Sequence, residues 1–211
     1  GQFYETFIAP NRIRFRINCD VVAGLHVMRD LTIEIAMSDQ VTVHVPVHLL
    51  YELCEEEGEL RILRLAAHWE LWPMLKQQMA SGLPFLRVGG ASAYRMLRHL
   101  GVRGMLGFVR SLGSVGDQGK LQLLHFASHL ASRNSQALQN LFARPDCEGA
   151  FPCGAPPKAI AECAAMGGEM HLDKVLAAGN TVSATVHYHH QGQQYSGVAL
   201  LELDSRTLNI V

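Results

Sequence analysis

The chain has 211 residues, 48% of them apolar and 18% charged, with a formal net charge of −1. Those values exclude general disorder and describe a globular chain long enough to bury a core without cross-links. No run approaches the roughly 18 apolar residues of a membrane-spanning helix, so no transmembrane segment is expected, and the first residues lack the charged start and apolar core of a secretion signal.

Asn11 to Val22 is the clearest strand. Ile13, Phe15, Ile17 and Cys19 alternate with Arg12, Arg14, Arg16 and Asn18, which places an apolar set on one face and three arginines on the other. The arginine face reads as a solvated surface or, less simply, as an anion-binding stripe. Leu31 to Met37 alternates again, and Val41 to Val45 follows after Ser38, Asp39 and Gln40, the pattern of an antiparallel hairpin. Pro46 is expected to end that strand and open a helical block. In that block Val47, Leu50, Leu53 and Cys54 share a helical face, with Gly58 as its stop. Leu60 to Trp72 is expected to be a largely buried helix with one polar stripe, Arg61, Arg64 and His68. Trp69 and Trp72 would supply buried apolar area, and Pro73 would break the helix.

Leu83 to Val88 reads as a short strand, followed by Gly89 and Gly90 and a helix opening at Ser92. Gly101, Gly104 and Gly107 recur through a second amphipathic helix, each at a cost of up to ~1 kcal/mol in helix propensity, which argues for close packing. Ser114 to Gly119 reads as a loop. Leu121 to Ala131 is expected to be helical with Leu121, Leu124 and Ala127 or Ser128 along its packed face, and Ser135 to Phe142 continues as a further helix. Pro145 to Pro157 is the candidate linker or functional loop, and Ala159 to Met166 a short helix ended by Gly167 and Gly168. Thr181 to His190 and Tyr195 to Asp204 alternate around a turn at Gln191 to Gln194, a second hairpin. The expected fold is therefore a single α+β domain. It has N-terminal antiparallel strands (1–45), a central helical block (46–143), a loop and short helix (144–180), and a C-terminal β-hairpin (181–211) completing the sheet.

Charge is segregated along this chain. Leu71 to Gly116 has no acid and carries Lys76, Arg87, Arg95, Arg98, Arg103 and Arg110, whereas Glu52, Glu55, Glu56, Glu57 and Glu59 cluster just upstream. If the cations share a surface they create a positive field; if the glutamates fold back, they cancel it. A glycine pair before a helix, flanked by Arg87 and Arg95, also suits an anion, although neither a Gly-x-Gly-x-x-Gly series nor a Gly-Lys-Ser/Thr ending is present.

Chemistry-bearing residues are dispersed. His125 and His129 stand one helical turn apart, and His187 and His189 share a strand face near His171 and His190, spacings that could hold zinc. The Glu of a His-Glu-x-x-His protease is replaced by Phe126. The five cysteines are Cys19, Cys54, Cys147, Cys153 and Cys163. Their odd number and the lack of a Cys-x-x-Cys pair lead us to expect a reducing, cytoplasmic compartment, with a Cys147–Cys153 disulfide left open. Cys147, Cys153 or Cys163 could act as a thiol nucleophile with His187 or His189 as base. Asp204 fits poorly as the orienting acid: a turn around Gly192 and Gln193 would put His189 beside Ser196 and Asp204 about 23 Å away, near Thr181. Cys19, on the apolar strand face, is expected to be buried and inert.

Two functional expectations follow. The first is a non-enzymatic interaction or regulatory domain that binds an acidic protein surface through Arg87, Arg95, Arg98, Arg103 and Arg110, an anionic headgroup or nucleic acid being the other partner chemistries. The second is a cysteine-dependent hydrolase or transferase, or a His-metal enzyme, with its site near the C-terminal hairpin. No cofactor is expected under the first reading, and zinc only under the second.

Overall fold

Strand-forming sequence dominates where the structure is described, at residues 12–38, 41–80, 98, 101, 113–144, 148–149, 158–159, 162, 164–165 and 167–211 of a computed structural model. The N-terminal half is a four-stranded antiparallel meander, β1 (Arg12–Ala23), β2 (His26–Ser38), β3 (Val41–Glu56) and β4 (Glu59–Trp69), in the order β1-β2-β3-β4. The α1 helix (Leu71–Ala80) follows, then α2 (Gly116–Ala131) and α3 (Ser135–Gln139). Two short strands, β5 (Glu148–Gly149) and β6 (Lys158–Ala159), pair with each other. The chain ends in β7 (Glu169–Ala178), β8 (Thr181–His190) and β9 (Gln193–Glu202), a separate three-stranded antiparallel sheet.

The α+β expectation holds in outline, but the helical block is small and the C-terminal hairpin does not complete the N-terminal sheet. Residues 46–56 and 59–69, expected to be helical, are strand. Pro46 does not end β3: β4 stops at Trp69 opposite Val47, so Pro46 has a neighbour strand on the β2 side only, the edge situation in which a strand tolerates proline. Gly58 is a hairpin residue rather than a helix stop. Glu57 and Gly58 have φ of 54° and 81°, and positive φ at both central residues matches the right-handed twist of the flanking strands.

The β-branched run of β3 puts Val43, Val45 and Val47 on one face, buried with Leu31 of β2. Ile33, Ile35, Leu49, Trp69 and the α1 residue Met74 pack against them. Trp69 is thus half-buried at the end of β4, while Trp72 on α1 is exposed, contrary to its expected burial. The second sheet packs its Val182, Ala184, Val186 and Tyr188 face on Leu123 and Leu130 of α2 and Leu138 of α3. The expected α2 face holds at Ala127 only: Leu123, Ala127 and Leu130 are buried, whereas Leu121 and Leu124 are exposed. The remaining faces of the two sheets meet each other. Lys120 of α2 pairs with Glu70 at 2.6 Å, and Glu70 also accepts from the Ala177 amide, which joins the β4–α1 corner to β7.

The β8–β9 hairpin is present with its turn at Gln191 and Gly192 (φ 50° and 76°). Gly167 and Gly168, with φ of 63° and 133°, are positions that only glycine adopts readily. Tyr188 donates its hydroxyl to the Gly167 carbonyl, and a Cβ on Gly168 would collide with the Tyr188 ring. Among the described residues no helix is long and apolar enough to cross a membrane.

Candidate functional site

A row of polar residues crosses the first sheet on the face turned to the second. Cross-strand pairing aligns Cys19, Asp30, His48 and His68 on β1 to β4. Opposite them, Lys174 of β7 and Ser183 and Thr185 of β8 reach across the gap. Lys174 Nζ donates to Asp30 Oδ1 and, at 3.0 Å, to the Leu31 carbonyl. Thr185 Oγ1 donates to Asp30 Oδ2 at 2.6 Å, and Asn18 Nδ2 donates to Asp30 Oδ1 at 3.0 Å. His48 joins the cluster through both ring nitrogens, Nδ1 to Ser183 Oγ at 2.8 Å and Nε2 to Thr185 Oγ1 at 3.2 Å.

Two donors to Asp30 are placed by strand irregularities. The β1–β2 register shifts between Ile17 and Cys19, which leaves Asn18 as an extra residue, and the β7–β8 register shifts between Asp173 and Leu176, around Lys174. Lys174 has φ 42°, a costly conformation for a residue with a Cβ. A bulge re-aims a side chain and breaks period-2 alternation. The first bulge therefore overturns the expectation for Cys19, which lies half-buried on the polar face beside Asp30 rather than on the apolar one. Burial, then the Asp30 charge, raises its thiol pKa, which lowers the thiolate fraction.

The hydrogen bonds have one consistent direction. Burial alone would raise the Asp30 pKa, but bonds from Lys174, Thr185 and Asn18 outweigh it and leave the carboxyl below its ordinary value. Asp30 is thus ionised and accepts only, so Thr185 must give its proton to Asp30. The Thr185 oxygen then accepts from His48 Nε2–H, and Nδ1 is left to accept from the Ser183 hydroxyl. Burial pushes the His48 pKa down to about 4, which keeps the imidazole neutral, as this ordering requires. His68 is also lowered, by burial and then by the Arg64 charge, and among the described residues its Nε2 has no hydrogen-bond partner.

Hydroxyl, imidazole and carboxylate in sequence are the parts of a nucleophilic array. Here access decides against that use. Ser183 and His48 are both 0% exposed and Asp30 2%, so no substrate atom can reach the hydroxyl. The cluster fastens the two sheets together. Composition and spacing did not reveal it, since Asp30 and Thr185 lie 155 positions apart, and the strands of Asp30, His48 and His68 carry other charged residues such as Glu34, Glu52 and Arg64.

Among the described residues, those singled out by sequence do not assemble into one site. Cys147, Cys153 and Cys163, and with them the Cys147–Cys153 disulfide, lie outside the described residues, as do Arg87, Arg95, Arg103 and Arg110 and the Gly89–Gly90 turn. Arg98 is exposed. Among the described residues, Glu52 pairs with Arg64 at 2.6 Å and Glu56 with Arg61 at 3.1 Å, both within the β3–β4 hairpin. His125 and His129 have ring centroids 6.2 Å apart on α2. His189 stands across from Glu169 and Gln194, and it is His187, not His189, that faces Ser196, its Nδ1 2.9 Å from Ser196 Oγ. Asp204 caps its own turn by accepting from the Arg206 and Thr207 amides at 2.9 and 2.8 Å.

Beyond the covered part of the same β8 face, Asp173 lies between two histidines. His171 Nε2 is 3.3 Å from Asp173 Oδ1, and His187 Nε2 is 3.5 Å from Asp173 Oδ2. Among the described residues, no three His, Cys, Asp or Glu side chains are placed so that they could hold a metal ion. A cleft of about 360 Å³ opens beside the β8–β9 turn, lined by Arg133, Gly168, Glu169, His189 and His190. No family model matches the chain, and no curated protein or solved structure matches it.

Proposed function

We propose that this chain is a non-enzymatic interaction domain, regulatory in role, that binds an acidic protein partner through Arg87, Arg95, Arg98, Arg103 and Arg110. The observation that carries this reading is where the upstream acids go. Glu52 and Glu56 are engaged by Arg64 and Arg61 of their own hairpin, which leaves them less charge to offer any other cation. The exposure of Arg98 and the burial of the Ser183–His48–Asp30 array point the same way. Unneutralised guanidinium groups attract an acidic surface and set its orientation.

The test is charge reversal of Arg95, Arg98, Arg103 and Arg110 to Glu, read by retention on immobilised polyglutamate at about 0.1 M salt, near a 10 Å screening length. The expected outcome is loss of retention with an unchanged thermal midpoint. Retention equal to the parent, or a parent that prefers RNA or anionic vesicles over polyglutamate, would overturn it.

A second reading, an enzyme near the C-terminal hairpin, is favoured by the cleft that His189, His190 and Arg133 line. It predicts thiol labelling at neutral pH that is lost on Cys147→Ser, Cys153→Ser or Cys163→Ser, or metal in the purified protein.

A further inference from the structure

We propose that His171, Asp173 and His187 form a divalent-cation site on the open face of β7 and β8, and that zinc is the ion it fits best. The inference is independent of the acidic-partner reading. His171 and His187 are direct cross-strand partners, and Asp173 is two residues along the same face, so the sheet itself presents three ligand side chains side by side. Each imidazole Nε2 stands beside a different oxygen of the Asp173 carboxylate, at 3.3 and 3.5 Å, so the three ligand groups are already neighbours, and their protein-to-zinc bonds would be about 2.0–2.2 Å. Ser196 supplies the support a ligating histidine needs: its contact with His187 Nδ1 orients the ring with Nε2 toward Asp173. Two imidazoles and one carboxylate favour zinc over calcium or magnesium, which prefer oxygen ligands.

The three groups do not converge as they stand because Asp173 bridges the two rings, one through each oxygen. Their side chains are 73%, 53% and 35% exposed for His171, Asp173 and His187, so bringing all three onto one ion takes side-chain rotation on the solvent side of the sheet. Water would complete the coordination on the solvent side. His125 and His129 differ: they are a pair on one helix turn, and among the described residues no carboxylate forms an ion pair with either.

The experiment is titration of the full chain with zinc chloride, read by heat and by the imidazole ¹⁵N shifts of His171 and His187. The expected result is one ion per chain, with both imidazole signals moving. His171→Ala and His187→Ala each abolish binding, Ser196→Ala weakens it about tenfold, and His125→Ala/His129→Ala leaves it unchanged. His171 is the most exposed of the three, so its variant keeps the test valid if His187→Ala proves unstable. Absence of binding overturns the proposal. So does binding that survives His171→Ala, since the ion would then sit on thiols or other histidines.

Discussion

One face of β8 carries two clusters of the same chemistry with opposite fates. Around Ser183 and Thr185, an imidazole, a carboxylate and two hydroxyls are sealed between the sheets. Around His187, an imidazole pair, a carboxylate and a hydroxyl lie open to solvent. Residue type does not separate them; cover does. Under cover, each polar atom must find a protein partner, and the cluster becomes a fastening with one allowed pattern of proton donation. In the open, water completes the bonds, side chains keep their rotamers, and the same groups stay available to a ligand.

The contrast is sharpened most by removing a charge from the sealed cluster. Lys174→Met leaves the Asp30 carboxylate buried without its cation, and a loss of about 3–5 kcal/mol in unfolding free energy is expected by denaturant titration. Replacing Asp30 with Leu in the same chain should recover part of that loss, because the unpaired charge is then gone; equal destabilisation in the single and double variants would show that the pair itself is not what matters.

Acid should come next in magnitude. His48 has a folded pKa of about 4 against about 6.5 when unfolded. The unfolded chain therefore takes up the proton first, and stability falls as pH drops from about 6.5 to 4, by roughly 3 kcal/mol in all. The Asp30 contribution, from a carboxyl held below its ordinary value, is lost only at lower pH, below about 3.9. His48→Gln should flatten the profile between pH 6.5 and 4, and a wild-type profile flat over that range would break the comparison.

The smallest effect belongs to the open cluster. Asp173→Asn removes the acid facing two exposed histidines, and a change within about 0.5 kcal/mol at pH 7 is expected. A loss comparable to that of Lys174→Met would mean that exposure is a poor guide to which cluster bears structural weight.

Strands whose alternation is regular were legible in the sequence: most of β1, the β2–β3 hairpin and the β8–β9 hairpin. The β4 strand was not, for a physical reason. The β3–β4 register shifts between Glu52 and Leu53, so Arg64 pairs with Glu52 but Ile62 with Leu53, and Leu63 is the extra residue. Arg61 and Arg64, three apart, consequently share a sheet face, which is the spacing of a helix stripe. Within β3, Pro46 imitated a helix start although it only marks where β4 ends. The sealed cluster was illegible because its members come from β1, β2, β3, β7 and β8, and nothing local distinguishes a buried Asp30 from a surface one. Of the open cluster, His187 and His171 could be noticed by spacing, whereas the register that brings in Asp173 needed the fold.

Both donors that ride on β-bulges owe their aim to an extra backbone residue rather than to their own identity. Deleting Asn18 would do more than remove an amide. It would also close the bulge, so that Cys19 follows Ile17 directly and still stands opposite Asp30 in a regular ladder. At this place the pairing survives loss of the position, and what the junction of the sheets loses is one donor to Asp30.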